Sequence, residues 1–203
     1  MNVWICGDSF GVPDPEYGTC WTELLATNHT ITNVCQVCAS NAMISRQVDA
    51  AIAAQPNYII VLFSASTRGE VRHGKNIVPY SIHSLDATTP FDNHQLRVLQ
   101  EYAVEFFDID LAIYTNRCII ESVLYRLKSS GIPFLFDQGG FEHASYGGVG
   151  QYFQEFNNNR SAICLWDYTP TRAARAHRPY YHIPDYATHR MIADYYNEQL
   201  TKA

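Results

Sequence analysis

The chain has 203 residues, an apolar fraction of 47% and a formal net charge of −6 at pH 7. This length and apolar content suit a single α/β domain over residues 1–203 with a core of its own. The negative charge argues against nucleic acid as a partner, and no apolar stretch reaches the ~20 residues of a membrane span. Since no secretory signal is visible at Met1, we expect a cytoplasmic protein.

The N-terminal part of the chain alternates between strand and helix patterns. The run 58–63 (YIIVLF) is apolar throughout, which is typical of a central parallel strand covered on both faces. In the predicted helix 41–54, Ile44, Val48 and Ala51 line one face. The predicted elements of this part are a strand at 2–6, a short helix at 22–27, a strand at 30–34, a helix at 41–54 and a strand at 58–63.

The C-terminal part continues the alternation after a polar, aperiodic segment at 64–92. That segment is long for a plain loop, so we expect it to be functional or to carry small elements. Because strands alternate with helices, the pattern predicts a doubly wound parallel sheet with helices on both faces. The later predicted elements are helices at 93–107 and 111–129, strands at 133–137 and 162–166, and a terminal helix at 185–200.

Polar residues follow the first three predicted strands at the points where these strands end. Ser9 follows the first strand, 38–40 the second and 64–68 the third. Ligands of such sheets bind beyond the carboxyl ends of the strands, so these residues are expected to converge. A serine there can act as a nucleophile if a base, usually His, removes its proton. Of the eight histidines, His182 and His189 lie near the start of the terminal helix.

The stretch Gly7-Asp8-Ser9-Phe10, together with a late His before an amphipathic terminal helix, resembles the first and last blocks of the GDSL/SGNH hydrolases. The resemblance covers the whole chain in layout and has specific motifs only at its ends. It implies a three-layer flavodoxin-like fold and an ester hydrolase that forms an acyl-serine intermediate. The implied substrate is a small-molecule, carbohydrate or lipid ester, such as a carboxylester or an O-acetyl group. It implies no cofactor and no metal.

The same resemblance assigns roles to residues of this chain. Ser9 matches the nucleophile, and its amide would contribute to the oxyanion hole. Cys38 stands where the family usually has a Gly whose amide is the second donor. Ser66 stands at the position of a donor Asn and would donate more weakly. His182, which precedes the terminal helix, matches the base, whereas His189 inside that helix is an alternative that also suits a packing role.

The orienting carboxylate of the last block is missing, because Pro179 stands three residues before His182. The third catalytic member is then Asp185, a backbone carbonyl or none at all, and Asp185 also suits the N-cap of the terminal helix. These departures resemble a divergent branch met in marine bacteriophage and related bacterial sequences. A viral source would place the protein in the host cytoplasm or the virion.

Asp8 and Arg68 are candidate substrate-binding residues at the mouth of the site, and each has a structural alternative. Asp8 can organise its turn through hydrogen bonds from its side chain to the backbone. Arg68 can bind an anionic or carbonyl group of a substrate or pair with a carboxylate.

Two other classes of protein remain open. The missing Asn and Asp suit a non-catalytic binding or virion-associated structural protein that keeps the fold. The motif Cys35-x-x-Cys38 suits either small buried thiols or redox chemistry, and no second motif completes a zinc site. The sequence sets no oligomeric state.

Overall fold

A computed structural model of the chain describes residues 1–13, 19–82, 85, 91–137, 153–163, 165, 183 and 185–202. With one exception, every predicted element is present with its ends within two residues of the expected positions. The elements in chain order are β1 (Asn2–Cys6), α1 (Trp21–Leu25), β2 (Thr30–Asn33), α2 (Asn41–Ala54), β3 (Tyr58–Leu62), β4 (Arg68–His73), β5 (Asn76–Ser81), α3 (Asn93–Glu105), α4 (Ile109–Ser130), β6 (Phe134–Asp137), a 3₁₀ helix (Gln154–Asn159) and α5 (Tyr186–Lys202).

The central sheet has four strands in the order β2-β1-β3-β6, and every pair is parallel. Val3 of β1 lies opposite Ile31 on one side and Tyr58 on the other. All five residues of β3 are buried, as expected for a strand with helices on both faces. The predicted doubly wound α/β class is therefore confirmed.

The two faces of the sheet carry separate helix layers. Helices α1 and α5 pack together on one face, and α2 packs with α4 on the other. Since alternate residues of a strand point to opposite faces, Ile60 and Leu62 join the core beneath α1 and α5, whereas Ile59 and Val61 join the core beneath α2 and α4. The strand β3 therefore links both halves of the core.

The predicted strand at 162–166 is wrong for the residues of that range that the structure describes. Just before this range, Arg160 forms an isolated parallel bridge with Phe136. Further along, the amide of Leu165 donates to the carboxylate of Asp137 at 3.1 Å. The Leu165 amide therefore binds a side-chain oxygen, whereas an added strand would have bound a backbone carbonyl. Leu165 packs in the core next to the sheet without extending it.

The aperiodic segment after β3 contains a β-hairpin. Strands β4 and β5 pair antiparallel, from Arg68 opposite Ser81 to His73 opposite Asn76. Gly74 lies in the hairpin turn with a φ of +60°, a conformation that favours glycine. The hairpin forms a separate two-stranded sheet, so the prediction that this segment carries small elements is confirmed.

The long helices have clear start and stop signals. The Ser40 hydroxyl accepts a hydrogen bond from the Met43 amide at the start of α2, and Asp108 caps α4 in the same way. Helix α4 ends at Gly131, which has a φ of +72°. Within the described ranges, no helix has both the length and the apolar character that crossing a bilayer requires.

Candidate active site

Three turns meet at the carboxyl edge of the sheet. Because β1 lies between β2 and β3, the turn after β1 that carries Ser9 is flanked by the turns that carry Cys38 and Ser66. The turns after β1 and β2 are joined directly, since the amide of Gln36 donates to the carbonyl of Gly7 at 3.1 Å, and the turn after β3 is joined to that after β1 by the ion pair of Arg68 with Asp8. The convergence expected from the strand order is therefore present.

The turn after β1 is held by Asp8. Its carboxylate accepts from the Phe10 amide at 3.0 Å, and its carbonyl accepts from the Gly11 amide at 3.1 Å. Asp8 and Phe10 are buried, whereas Ser9 between them is partly exposed. The turn thus presents one hydroxyl-bearing residue at the surface of an otherwise buried segment, and Asp8 has the turn-organising role that its sequence context allowed.

Gln47 of α2 fixes the residue that enters this turn. Its side-chain oxygen accepts from the Gly7 amide at 2.7 Å, and its side-chain nitrogen donates to the Gly7 carbonyl at 3.3 Å. Gln47 is itself buried. The sequence analysis did not single out Gln47, although a polar residue between Ile44 and Val48 on the apolar face of α2 was an available signal.

Arg68 lies against Asp8 in a buried ion pair. One guanidinium nitrogen is 3.2 Å from a carboxylate oxygen of Asp8, with 6% of the Arg68 side chain and none of the Asp8 side chain exposed. Burial raises the pKa of the Asp8 carboxyl above its usual range, and Arg68, the Phe10 amide and the Ser64 hydroxyl partly oppose that rise. This arrangement supports the carboxylate-pairing alternative for Arg68.

Cys38 has a φ of +60°, the left-handed conformation that glycine adopts most readily. A non-glycine residue there carries a steric cost of ~1–2 kcal/mol. The chain therefore keeps the backbone shape of a glycine turn despite the side chain. In the hydrogen bonds formed among the described residues, the Cys38 amide donates to no acceptor, so it is available to an external one.

Ser66 lies in a loop that two buried asparagines support. Asn41 donates to the Ser64 carbonyl and to Asn116, both at 2.8 Å, and Asn116 donates to the Ser66 carbonyl at 3.3 Å. The Ser66 hydroxyl is buried and has no hydrogen-bond partner in the described part of the chain. An unsatisfied buried hydroxyl is energetically costly. Neither asparagine was singled out from the sequence.

Of the two histidines predicted as candidate bases, the structure describes His189. His182 lies outside the described residues. His189 lies in the first turns of α5 with 4% of its surface exposed, and its Nδ1 accepts from the Trp21 amide at 3.2 Å. A neutral imidazole whose Nδ1 accepts carries its proton on Nε2, so that nitrogen cannot take a proton from serine. This geometry supports the packing role for His189.

Asp185 is placed at the start of α5. Its carboxylate accepts from the Thr188 amide at 2.8 Å and from the Thr188 hydroxyl at 3.0 Å. The hydrogen bond from the Thr188 amide is the main cause that lowers the pKa of this carboxyl. These contacts are those of an N-cap.

Replacement of Asp185 distinguishes its role as a helix N-cap from a role as a catalytic acid. Asparagine caps a helix about as well as aspartate, so Asp185→Asn is expected to keep both thermal stability and ester turnover. A carboxyl with a lowered pKa stabilises the fold above pH ~4, and this contribution to the free energy of unfolding is lost as the pH falls further. The variant is therefore expected to lose less stability in acid than the wild type. Turnover reduced ~10⁴-fold, as for serine proteases with the corresponding change, would instead assign Asp185 to the triad.

The Cys35 thiol does not have the environment of a reactive cysteine. Burial, with Cys6, Asp8 and Cys20 nearby, raises the pKa of the Cys35 thiol well above its ordinary value, whereas reactive thiols have lowered pKa values. Cys35 packs beside Gly11 behind the Ser9 turn. Among the described residues, no three His, Cys, Asp or Glu side chains form a cluster that could hold a metal ion.

Comparison with known proteins finds similarity in structure alone. No protein-family model and no curated protein sequence matches the chain. The esterase EstA from Pseudoalteromonas sp., in a structure inhibited by monoethylphosphonate, aligns with a TM-score of 0.58 and 12% identity over 99% of this chain and 97% of that one. A lipolytic G-D-S-L family protein from Desulfitobacterium hafniense DCB-2 aligns with a TM-score of 0.53 and 13% identity over 97% and 98% of the two chains. A protein of that family from Veillonella parvula DSM 2008 aligns with a TM-score of 0.52 and 13% identity over 100% of both chains. The chain therefore has the fold of the GDSL/SGNH hydrolases, as its motifs predicted.

Proposed function

We propose that the chain is a serine hydrolase that cleaves a carboxylic ester through an acyl-serine intermediate, with Ser9 as its nucleophile. The position of Ser9 is the main support. Ser9 is the partly exposed residue of a buried turn at the carboxyl edge of a central strand, where ligands of such sheets bind. The fold shared with esterase EstA and with the lipolytic G-D-S-L proteins adds to this support.

In the proposed reaction the Ser9 oxygen attacks the ester carbonyl carbon while His182 takes the hydroxyl proton. The amides of Ser9 and Cys38 and the hydroxyl of Ser66 hold the negative oxygen of the tetrahedral intermediate. The intermediate collapses, the bond to the alcohol oxygen breaks, and His182 returns the proton to that oxygen. His182 then deprotonates a water molecule, whose oxygen attacks the carbonyl carbon of the acyl-serine. The bond from that carbon to the Ser9 oxygen breaks, His182 returns the proton to the Ser9 oxygen, and the carboxylic acid is released.

The substrate in this proposal is a small-molecule, carbohydrate or lipid ester, with a carboxylester or an O-acetyl group as the cleaved bond. No cofactor or metal takes part. The segment 64–68 and a His182 without its orienting Asp are the basis for placing the chain in a divergent, phage-type branch. In that branch it would act in the cytoplasm, including that of a host, or on a virion.

A fluorophosphonate probe tests the nucleophile directly. The Ser9 oxygen would displace fluoride at phosphorus, and digestion followed by mass spectrometry would find the adduct on the peptide that contains Ser9. Ser9→Ala is expected to abolish the label, whereas Ser129→Ala, a change at an exposed serine of α4, is expected to keep it. No label, together with no turnover of p-nitrophenyl esters, would favour the non-catalytic alternative with the same fold.

A further inference from the structure

We propose that Arg68 and Glu70, two residues apart on β4, are positioning residues that together set the spacing of the candidate active site. In this arrangement Arg68 holds the turn of Ser9, and Glu70 holds the turn of Cys38. The β4–β5 hairpin thereby fixes the nucleophile relative to an oxyanion donor. The catalytic consequence rests on the proposed function, whereas the structural consequence does not.

The first contact joins Arg68 to Asp8, and Asp8 in turn binds the Phe10 amide on the other side of Ser9. Arg68 donates to one carboxylate oxygen of Asp8 at 3.2 Å, and the other oxygen accepts from the Phe10 amide at 3.0 Å. Ser9 lies between Asp8 and Phe10, so this chain of contacts spans the nucleophile. Both charged side chains are almost completely buried, and little water is available to replace either partner if the other is removed.

The second contact runs from Glu70 to the start of α2. The Ser40 hydroxyl donates to one carboxylate oxygen of Glu70 and accepts from the Met43 amide at 3.1 Å. The other carboxylate oxygen is 2.6 Å from a guanidinium nitrogen of Arg46. Ser40 stands two residues after Cys38, so Glu70 fixes the end of the turn in which Cys38 has its positive φ.

Both contacts come from one face of one strand. Side chains two residues apart on a strand point the same way, ~6.6 Å apart, and pairing with β5 keeps β4 extended. Arg72 is the next residue on this face, but it is exposed and forms no ion pair within the described residues. Arg72 is therefore a matched control on the same strand.

Amide hydrogen exchange measured by mass spectrometry tests the structural part. Arg68→Gln is expected to speed exchange of the segment 6–12 about tenfold or more, and Glu70→Gln that of the segment 35–43. Arg68→Lys keeps a charge for Asp8 and is expected to show a smaller effect, while Arg72→Gln leaves both segments at the wild-type rate. Unchanged exchange in 6–12 and 35–43, or equal acceleration in every peptide, would overturn the proposal.

Ester kinetics test the catalytic part. With rates normalised to the sites that a fluorophosphonate titrates, Arg68→Gln is expected to lower kcat ~10²-fold with little change in KM, because small misplacements cost about that much. Arg68→Lys is expected to be intermediate and Arg72→Gln to match the wild type. An unchanged kcat in Arg68→Gln would overturn the positioning role. A wild-type chain with no turnover and no label would instead contradict the proposed function, and the exchange result would still decide the structural part.

Discussion

Ser9→Ala is expected to lower the turnover of a short-chain p-nitrophenyl ester by ~10⁶-fold, the loss found when the serine nucleophile of a triad is removed. In the proposed mechanism the hydroxyl forms the covalent bond to the substrate, and alanine has no atom that replaces it. Because Ser9 is partly exposed, the free energy of unfolding is expected to change by no more than ~0.5 kcal/mol. Stopped-flow or steady-state kinetics, with thermal unfolding alongside, measure both quantities.

The partner of Ser9 is tested in the same assay. His182→Ala is expected to lower the rate about as much as Ser9→Ala, and the double variant is expected to be no slower than either single variant. Residues that act as one unit show this lack of additivity. Losses that multiply in the double variant would mean that the two residues act separately, and full activity in Ser9→Ala would identify another nucleophile.

The parallel sheet was predictable because its strands carry a strong and local signal. The run 58–63 is apolar at every position, and a strand buried on both faces requires that. Helix 41–54 was predicted with its observed ends, since its apolar positions follow the helical period and Gln55-Pro56 follows its last residue. In both cases the residues that decide the structure are neighbours in the sequence.

The prediction at 162–166 was wrong for a reason that lies elsewhere in the chain. An apolar run of that length suits a strand or any other buried segment. Its backbone amides find side-chain oxygens instead of a strand, as when Ala162 donates to the Tyr195 hydroxyl at 2.7 Å. Neither acceptor, Tyr195 or Asp137, is near in sequence, so local periodicity contains no signal for this outcome.

The candidate site likewise contains residues that the sequence could identify and residues that it could not. Ser9 was identified because its motif directly follows a strand, so topology alone gives its place. The alternatives for Arg68 stayed open because its partner, Asp8, is 60 positions away. Asn41 and Asn116, which support the Ser66 loop, are 75 positions apart. Supporting residues of this kind have no local pattern, and only the packed structure brings them together.

The conformation of Cys38 shows that a departure from a family pattern need not change the backbone. The sequence put the second oxyanion donor in doubt, because cysteine stands where glycine is usual. The structure keeps the left-handed turn with a φ of +60°, and an amide donor depends on the backbone rather than on the side chain. The presence of cysteine rather than glycine at position 38 therefore affects stability more directly than it affects the proposed chemistry.

Gly7→Ala is expected to lower stability strongly, because a Cβ there would meet the backbone and Cβ of a buried strand. A Cβ at Gly7 would lie 2.6 Å from the Cβ and 3.0 Å from the carbonyl oxygen of Leu62. Leu62 is fully buried in the central strand β3. Neither Leu62 nor the segment that carries Gly7 can therefore move without disturbing the sheet. Overpacking costs ~1–3 kcal/mol, and contact with a rigid buried strand places this change at the upper end of that range. A loss of ~3 kcal/mol corresponds to a fall in Tm of ~6–12 °C for a chain of this size.

The same substitution is expected to reduce ester turnover in the molecules that remain folded. Gly7 precedes Asp8 and Ser9, and Gln47 holds both its amide and its carbonyl, so a shift at Gly7 moves the nucleophile. Gly74→Ala is the control, because Gly74 also lacks a side chain but has nothing within 4 Å and a φ of +60°. That variant is expected to lose only the ~1 kcal/mol of the backbone conformation and no activity. Gly7 itself has no positive φ, so a loss of Tm no larger than that of Gly74→Ala would contradict the expected clash between a Cβ at Gly7 and Leu62.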